Sequence, residues 1–246
     1  MLNTDINCDM GESYGNYTIG NDLEIMPHIS SCNVACGFHG GDPLHIERTL
    51  KNAKLHNLRV GAHPGYPDLN GFGRRNLQMS EDELRACIKY QVSAIWGMAK
   101  SMGLTLAYVK PHGALYNKMA DNKQESKIVI QAVLDVDSSL AVMGLAGSKT
   151  ELTARSLGVP FIAEAFADRK YTAQGRLASR KNPDSVIVDP KIAAEQALNI
   201  IQNNPIQTLE GDFIHIRADS ICVHGDNKNA VLILQEIKTR LQKINN

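Results

Sequence analysis

Polar and ionisable residues recur in this chain at the ends of short apolar runs, spaced two apart. Residues two apart on a strand face one side. Asn7 and Asp9 share a side in TDINCDM, with Ile6 and Cys8 opposite. Asn33 and His39 share parity in HISSCNVACGF, Tyr108, Lys110 and His112 in LTLAYVKPHG, Glu164 and Asp168 in PFIAEAFAD, and His224 and Asp226 in DSICVHG and the residue after it. A buried carboxylate or ammonium is costly unless paired. Several of them converging on one face therefore imply a site where the charges partner one another or a ligand. Asp9, His39, His63 and His224 supply the nitrogen and oxygen ligands that zinc or a similar divalent ion takes, and His112 offers a further nitrogen. The Lys110 ammonium would oppose a cation beside it. Cys32 and Cys36 have the parity of the apolar side and read as core thiols.

These side chains need rigid elements to hold them. The apolar runs alternate with stretches of helical period. Asp42 and Pro43 open a helix carrying Ile46, Leu50 and Ala53 on one face. Ser80 and Glu83 have the spacing of a capping box before the stripe Leu84, Ile88, Val92, Ile95 and Ala99, and Gly103 sits where that helix should stop. Trp96 belongs to the packing of the same helix. Further helices are expected over 125–134, after Ser148 with Glu151 as a second capping box, over 190–201, and at the end of the chain around Val231, Leu234 and Leu241. With LRVGAH and SLAVMGLAG as further strands, the pattern is α/β with about seven parallel strands. No dinucleotide fingerprint or GxxxxGK[ST] phosphate loop is present, and polar residues sit at nearly every strand end. A single distorted (β/α) barrel spanning 1–246, with one shared active-site face, fits that distribution.

The stretch GAHPGYPDLNGFGRR, residues 61–75, leaves the third strand with His63 at its root. Gly61 and Gly65 are expected to let the backbone bend, and Pro64 and Pro67 to limit its disorder. Gly71 and Gly73 would fold the loop back, carrying Arg74 and Arg75 towards an anion. A second polar stretch, RKYTAQGRLASRKNPDSV, interrupts the strand–helix rhythm after the sixth strand.

Lys plus Arg and Asp plus Glu each number 26, for a net charge of +0. That balance argues against nucleic acid or an acidic membrane as partner. No apolar stretch approaches the roughly 20 residues of a membrane span. An N-terminus without a basic region and apolar run, together with five cysteines, points to the cytoplasm and free thiols.

Taken together, NCDMGE, ACGFHGGDP, GAHPGYPD, GFGRR, VKPHGALYN, EAFADRKY and ICVHGD resemble the LamB/YcsF family of 5-oxoprolinase A subunits, in order and across nearly the whole chain. Gly40 stands where that family usually has alanine, Gln174 where an acid is common, and NPDSV where a glycine–alanine turn is usual. The resemblance implies a distorted barrel related to polysaccharide deacetylases and glycoside hydrolases. It also implies ATP-dependent opening of 5-oxoproline to L-glutamate with partner subunits B and C, ATP being a cosubstrate of the complex.

Such chemistry needs a base, a stabiliser of charge on oxygen and a cation for the substrate's anionic end. Asp9 or Glu164 is expected as base, with Lys110 and His112 as stabilisers; Glu12 of NCDMGE completes the catalytic group. Asn7, Asn33, His39, His63, Arg74, Arg75, Asp168, Arg169 and His224 are expected to bind substrate, the guanidinium groups clamping carboxylate or phosphate. Two rival readings differ in what they predict. A stand-alone metal-dependent carbohydrate or amide deacetylase would carry metal and need no ATP. A non-catalytic metabolite-binding scaffold would lose assembly, not turnover, when its pocket is altered.

Overall fold

The computed structural model describes residues 4–245. The elements run β1 (Asp5–Met10), α1 (Asp22–Ile25), β2 (Ser31–Ala35), α2 (Pro43–Leu55), β3 (Arg59–His63), α3 (Glu81–Ser101), β4 (Leu106–Val109), α4 (Gly113–Asp121), α5 (Lys123–Val136), β5 (Ala141–Leu145), α6 (Lys149–Ser156), β6 (Phe161–Phe166), α7 (Pro190–Ile201), β7 (Ile206–Gln207), β8 (Phe213–Ile214), β9 (Ser220–Cys222) and α8 (Ala230–Asn245). Seven strands close a barrel in the order β1-β2-β3-β4-β5-β6-β9, every pairing parallel, while β7 and β8 form a separate antiparallel pair.

The expected helix signals operate locally. Asp42 accepts from the backbone N–H groups of Leu44 and His45, Asp189 from those of Lys191 and Ile192, and Ser80 with Glu83 forms a full capping box. The second expected box differs. Ser148 accepts from the Glu151 N–H, but the Glu151 carboxylate accepts from Gly147 N and pairs with Arg155. The stripe on α3 is buried against the barrel, as are Ile46, Leu50 and Ala53 of α2.

Inside the barrel, inward positions are polar and bonded to one another across strands. Asn33 Nδ2 donates to Asn7 Oδ1 and to Asp9 Oδ1 (both 2.8 Å), Tyr108 OH to Asn33 Oδ1 (2.6 Å), and Asn7 Nδ2 to Ser220 Oγ (2.8 Å). Below them the Asp5 carboxylate accepts from the hydroxyls of Ser31 and Ser220, so one side chain ties together the three strands at the point of closure. A filled, hydrogen-bonded interior fixes strand register, because slipping any strand by one residue would leave these groups unpaired.

Gly61 lies in β3, at a shift of register against β4 between Val60 and Gly61. Its φ is not in the left-handed region, and a Cβ there would lie 2.2 Å from Cε2 of Tyr108. The glycine makes room for the ring that reaches Asn33. Gly61→Ala is expected to destabilise the chain by about 3 kcal/mol, at the upper end of overpacking costs; urea unfolding measures it. Gly65 is likewise a close approach, its Cβ position lying 3.0 Å from Nδ1 of His39.

Candidate functional site

Lys110 and the carboxylates around it form the deepest layer. Lys110 is 2% exposed. Its Nζ lies 2.8 Å from Asp9 Oδ1, 3.2 Å from Asn7 Oδ1 and 3.3 Å from Cys222 Sγ. Glu164 Oε1 is also 2.8 Å away, but neither Glu164 oxygen receives an aligned hydrogen bond, so this contact is a charge pair. Burial acts to lower the ammonium, but the charges around it, Asp9 first and Glu164 among them, hold it well above the ordinary lysine range. Burial would also raise the Asp9 carboxyl, yet His63 and Lys110 keep it well below the usual carboxylate range. The centre is therefore ionic while almost sealed from water.

Above this layer stand three histidines and Glu12. His63 Nδ1 faces the Lys110 carbonyl at 2.7 Å, and His112 Nε2 faces the Phe72 carbonyl at 2.8 Å. A ring nitrogen facing a carbonyl must carry the hydrogen. The other nitrogens, His63 Nε2 and His112 Nδ1, face each other across 2.9 Å, and His63 Nε2 also lies 3.4 Å from Asp9 Oδ2. Glu12 Oε1 lies 3.4 Å from His112 Nδ1 and 3.3 Å from His39 Nε2. One ligand atom from each of Glu12, His39, His63 and His112 falls within 4.8 Å of the others, and all four residues are buried.

With both imidazoles neutral the facing lone pairs repel, so either a proton on His63, shared with Asp9, or a metal ion joins them. Burial, followed by neighbouring imidazoles, pushes His39 and His112 well below the ordinary histidine range, so a proton is disfavoured there. Ligands about 2.1 Å from a tetrahedral zinc are about 3.4 Å apart, close to the 2.9, 3.3 and 3.4 Å of three of the pairs, and the rest lie within 4.8 Å. The donor set and its carbonyl-fixed tautomers fit a divalent metal. Phe72 supports this arrangement from a left-handed φ of 54°, a conformation costing a non-glycine residue about 1–2 kcal/mol, and its carbonyl is the one that orients His112.

The layers open into a cavity of about 400 Å³ at the C-terminal mouth of the barrel. Asp9, Glu12, His63, Lys110 and His112 form part of its lining, with Arg74, Arg169, Arg176 and Arg180 contributing guanidinium groups.

The sequence profile of the LamB/YcsF family matches residues 4–246. The chain belongs to the LamB/YcsF family. Its relative in Acinetobacter baylyi, named as the A subunit of 5-oxoprolinase, is 48% identical over 240 residues, covering 98% of this chain and 94% of that one. Among solved structures, the lactam utilization protein of Thermus thermophilus superposes with a TM-score of 0.92 at 41% identity, covering 98% of this chain and 97% of that one. A family 4 carbohydrate esterase from Streptomyces lividans shares the fold at a TM-score of 0.51 and 10% identity, over 98% of this chain and 90% of that one.

Within this LamB/YcsF barrel the expected residues divide. Asp9, Glu12, His63, Lys110, His112, Arg74, Arg169 and His224 reach the cavity. Asn7, Asn33 and Glu164 are fully buried in the layer beneath it, outside the cavity lining, where they hold Asp9 and Lys110. Asp168 is also buried; it binds His224 Nδ1 at 2.8 Å and accepts from Asn227 Nδ2 at 3.0 Å, which orients the imidazole. The structure groups the ligand candidates differently from the sequence. His224 is committed to Asp168, and Asp9 to Lys110, while Glu12 and His112 join His39 and His63. The expected conflict between Lys110 and a cation eases because the ammonium is bound among Asp9, Asn7 and Glu164.

Arg75 is the clearest miss. Its guanidinium pairs with Asp68 and is 64% exposed, away from the cavity. Arg75→Ala is expected to leave KM for substrate within twofold of wild type, whereas Arg74→Ala raises it; steady-state kinetics separates the two. Arg176 and Arg180 were not anticipated. The signal was present in the five cations of RKYTAQGRLASRK. Gly40 also acquires a role, since a Cβ there would lie 2.7 Å from the Glu12 carbonyl oxygen. The His39 loop thus approaches Glu12 more closely than alanine permits in this backbone.

Proposed function

We propose that this chain is the 5-oxoprolinase subunit in which the lactam ring of 5-oxoproline is opened to L-glutamate, with ATP consumed by a complex that includes subunits B and C. The observation that carries the reading is the pairing of an ionised Asp9 with a protonated Lys110 at the floor of a cavity edged by guanidinium groups. A lactam carbonyl is a poor electrophile, and conversion of its oxygen into a phosphate ester makes that carbon attackable. Asp9 orients the attacking water and accepts its proton. Lys110 stabilises the negative charge that develops on oxygen, and the guanidinium groups bind the anionic end of the substrate. Glu164, sealed behind Lys110, sets the charge of the ammonium and is not the base. A divalent metal held by Glu12, His39, His63 and His112 would supply Lewis-acid polarisation.

The test combines the purified chain with 5-oxoproline and ATP, with and without subunits B and C, reading glutamate and phosphate. Glutamate is expected only from the full set. Glutamate released by this chain alone would overturn the division of labour. The four-ligand group also favours a second reading, a metal-dependent amide hydrolase acting alone; hydrolysis of N-acetyl substrates without ATP would select it.

A further inference from the structure

The cationic part of the cavity wall has a charge imbalance that neither the ionic floor nor the ligand group uses. Arg169 is 4% exposed, yet no carboxylate bonds to it. Its Nε and Nη2 donate to the carbonyls of Ser185 and Ala178, and among the described residues Nη1 makes no hydrogen bond. Burial, followed by repulsion from Arg180, lowers its guanidinium to about 10, with Arg74 adding to the repulsion. Arg74 and Arg180 share one counter-ion: Asp226 Oδ2 is 2.5 Å from Arg74 Nη2 and 3.9 Å from Arg180 Nη1. One carboxylate is bonded within this cluster of three guanidinium groups, a surplus of two positive charges; Glu12, the next carboxylate beside Arg74, belongs to the ligand group. Lys181 and Asp168, also nearby, add one charge of each sign. The fourth arginine of the wall, Arg176, is already paired with Asp121 at 2.6 Å.

Like charges crowded on a half-enclosed wall repel unless an anion joins them, and a surplus of two matches a dianion better than a carboxylate. Guanidinium forks match phosphate geometry as well as its charge.

We propose that Arg74, Arg169 and Arg180 form a subsite for a phosphoryl dianion at the barrel mouth. This rests on, and deepens, the reading of the chain as a 5-oxoprolinase subunit: the substrate that enters this cavity already carries its phosphoryl group. Arg169, fixed by two carbonyls, is the rigid member. Arg74 and Arg180, tethered to Asp226, close on the anion from the rim.

The test is isothermal titration of the chelator-treated chain with inorganic phosphate near pH 7.5, which removes any contribution of bound metal. Wild type is expected to bind one phosphate saturably. Arg180→Ala and Arg74→Ala should each weaken it at least tenfold, and Arg75→Ala should leave it unchanged. Circular dichroism checks that each variant is folded. Equal affinity in folded Arg180→Ala and Arg74→Ala, absence of saturable binding in wild type, or acetate competing as well as phosphate would each overturn the subsite; the last would make it a carboxylate clamp. The two readings fail separately. Glutamate formation by the assembled complex with no phosphate binding here would remove the subsite alone. Phosphate binding without glutamate formation would remove the 5-oxoprolinase reading and leave the subsite standing.

Discussion

Lys110→Ala is expected to slow glutamate release by the assembled complex severely and to destabilise the barrel at the same time. The substitution leaves Asp9 and Glu164 buried without their counter-ion. Removing one partner of a buried pair costs about 3–5 kcal/mol, and losing a donor aimed at developing negative charge lowers kcat by about 10²–10³. The two effects must be separated. Guanidinium chloride unfolding measures the first, and turnover at a temperature where the variant remains folded measures the second. Asp9→Asn preserves shape and the hydrogen bond from Asn33, so it should cost less stability while still lowering kcat strongly. Near-normal turnover in folded Lys110→Ala would remove the ammonium from the chemistry.

Loading with a divalent ion should raise the melting temperature of the chelator-treated chain. At a free zinc concentration a hundredfold above Kd the gain is about 2.7 kcal/mol, or roughly 5–10 °C for a chain of this length. His63→Ala and Glu12→Gln should lose the shift, since each removes one of the four converging ligand atoms. His224→Ala should retain it, because that imidazole is bound to Asp168. Loss of the shift in His224→Ala with its retention in Glu12→Gln would return the metal to the set expected from sequence, and retention in His63→Ala would remove both sets. Elemental analysis of the purified chain gives the stoichiometry.

The barrel was legible because its strands announce themselves twice, as apolar runs and through the parity of what interrupts them. Asn7, Asp9, Asn33, Tyr108, Lys110 and Glu164 all lie on or immediately after strands, and all face inward as parity requires. Parity has no hold beyond a strand end. His39 lies four residues past β2 and is delivered by a loop with Gly37 and Gly41 at positive φ. Arg74 and Arg75 are neighbours in sequence with opposite fates, decided by Asp226 on one side and Asp68 on the other, two carboxylates 158 residues apart in the chain. α4 has no start signal in the sequence, because Gly113 opens it at a φ of 55° with no side-chain cap. Strands β7 and β8, two residues each, are too short to show any period. The ligand group was half legible: the residue types were evident, but which four converge depends on how three separate loops close.

The strand that shuts the barrel is only three residues long and comes almost last. Ser220–Cys222 joins β1 on one side and β6 on the other, bringing residue 5 beside residue 220. Its Cys222 lies against the Lys110 ammonium, with Sγ 3.3 Å from Nζ. Without β9 the barrel would be a trough open along one side, and Asp9, Lys110 and Glu164 would face water through the gap. The seam of the barrel and the dryness of its ionic floor are thus one property, and a substitution that frays three residues of strand alters the chemistry of Asp9 and Lys110, more than a hundred residues away in sequence.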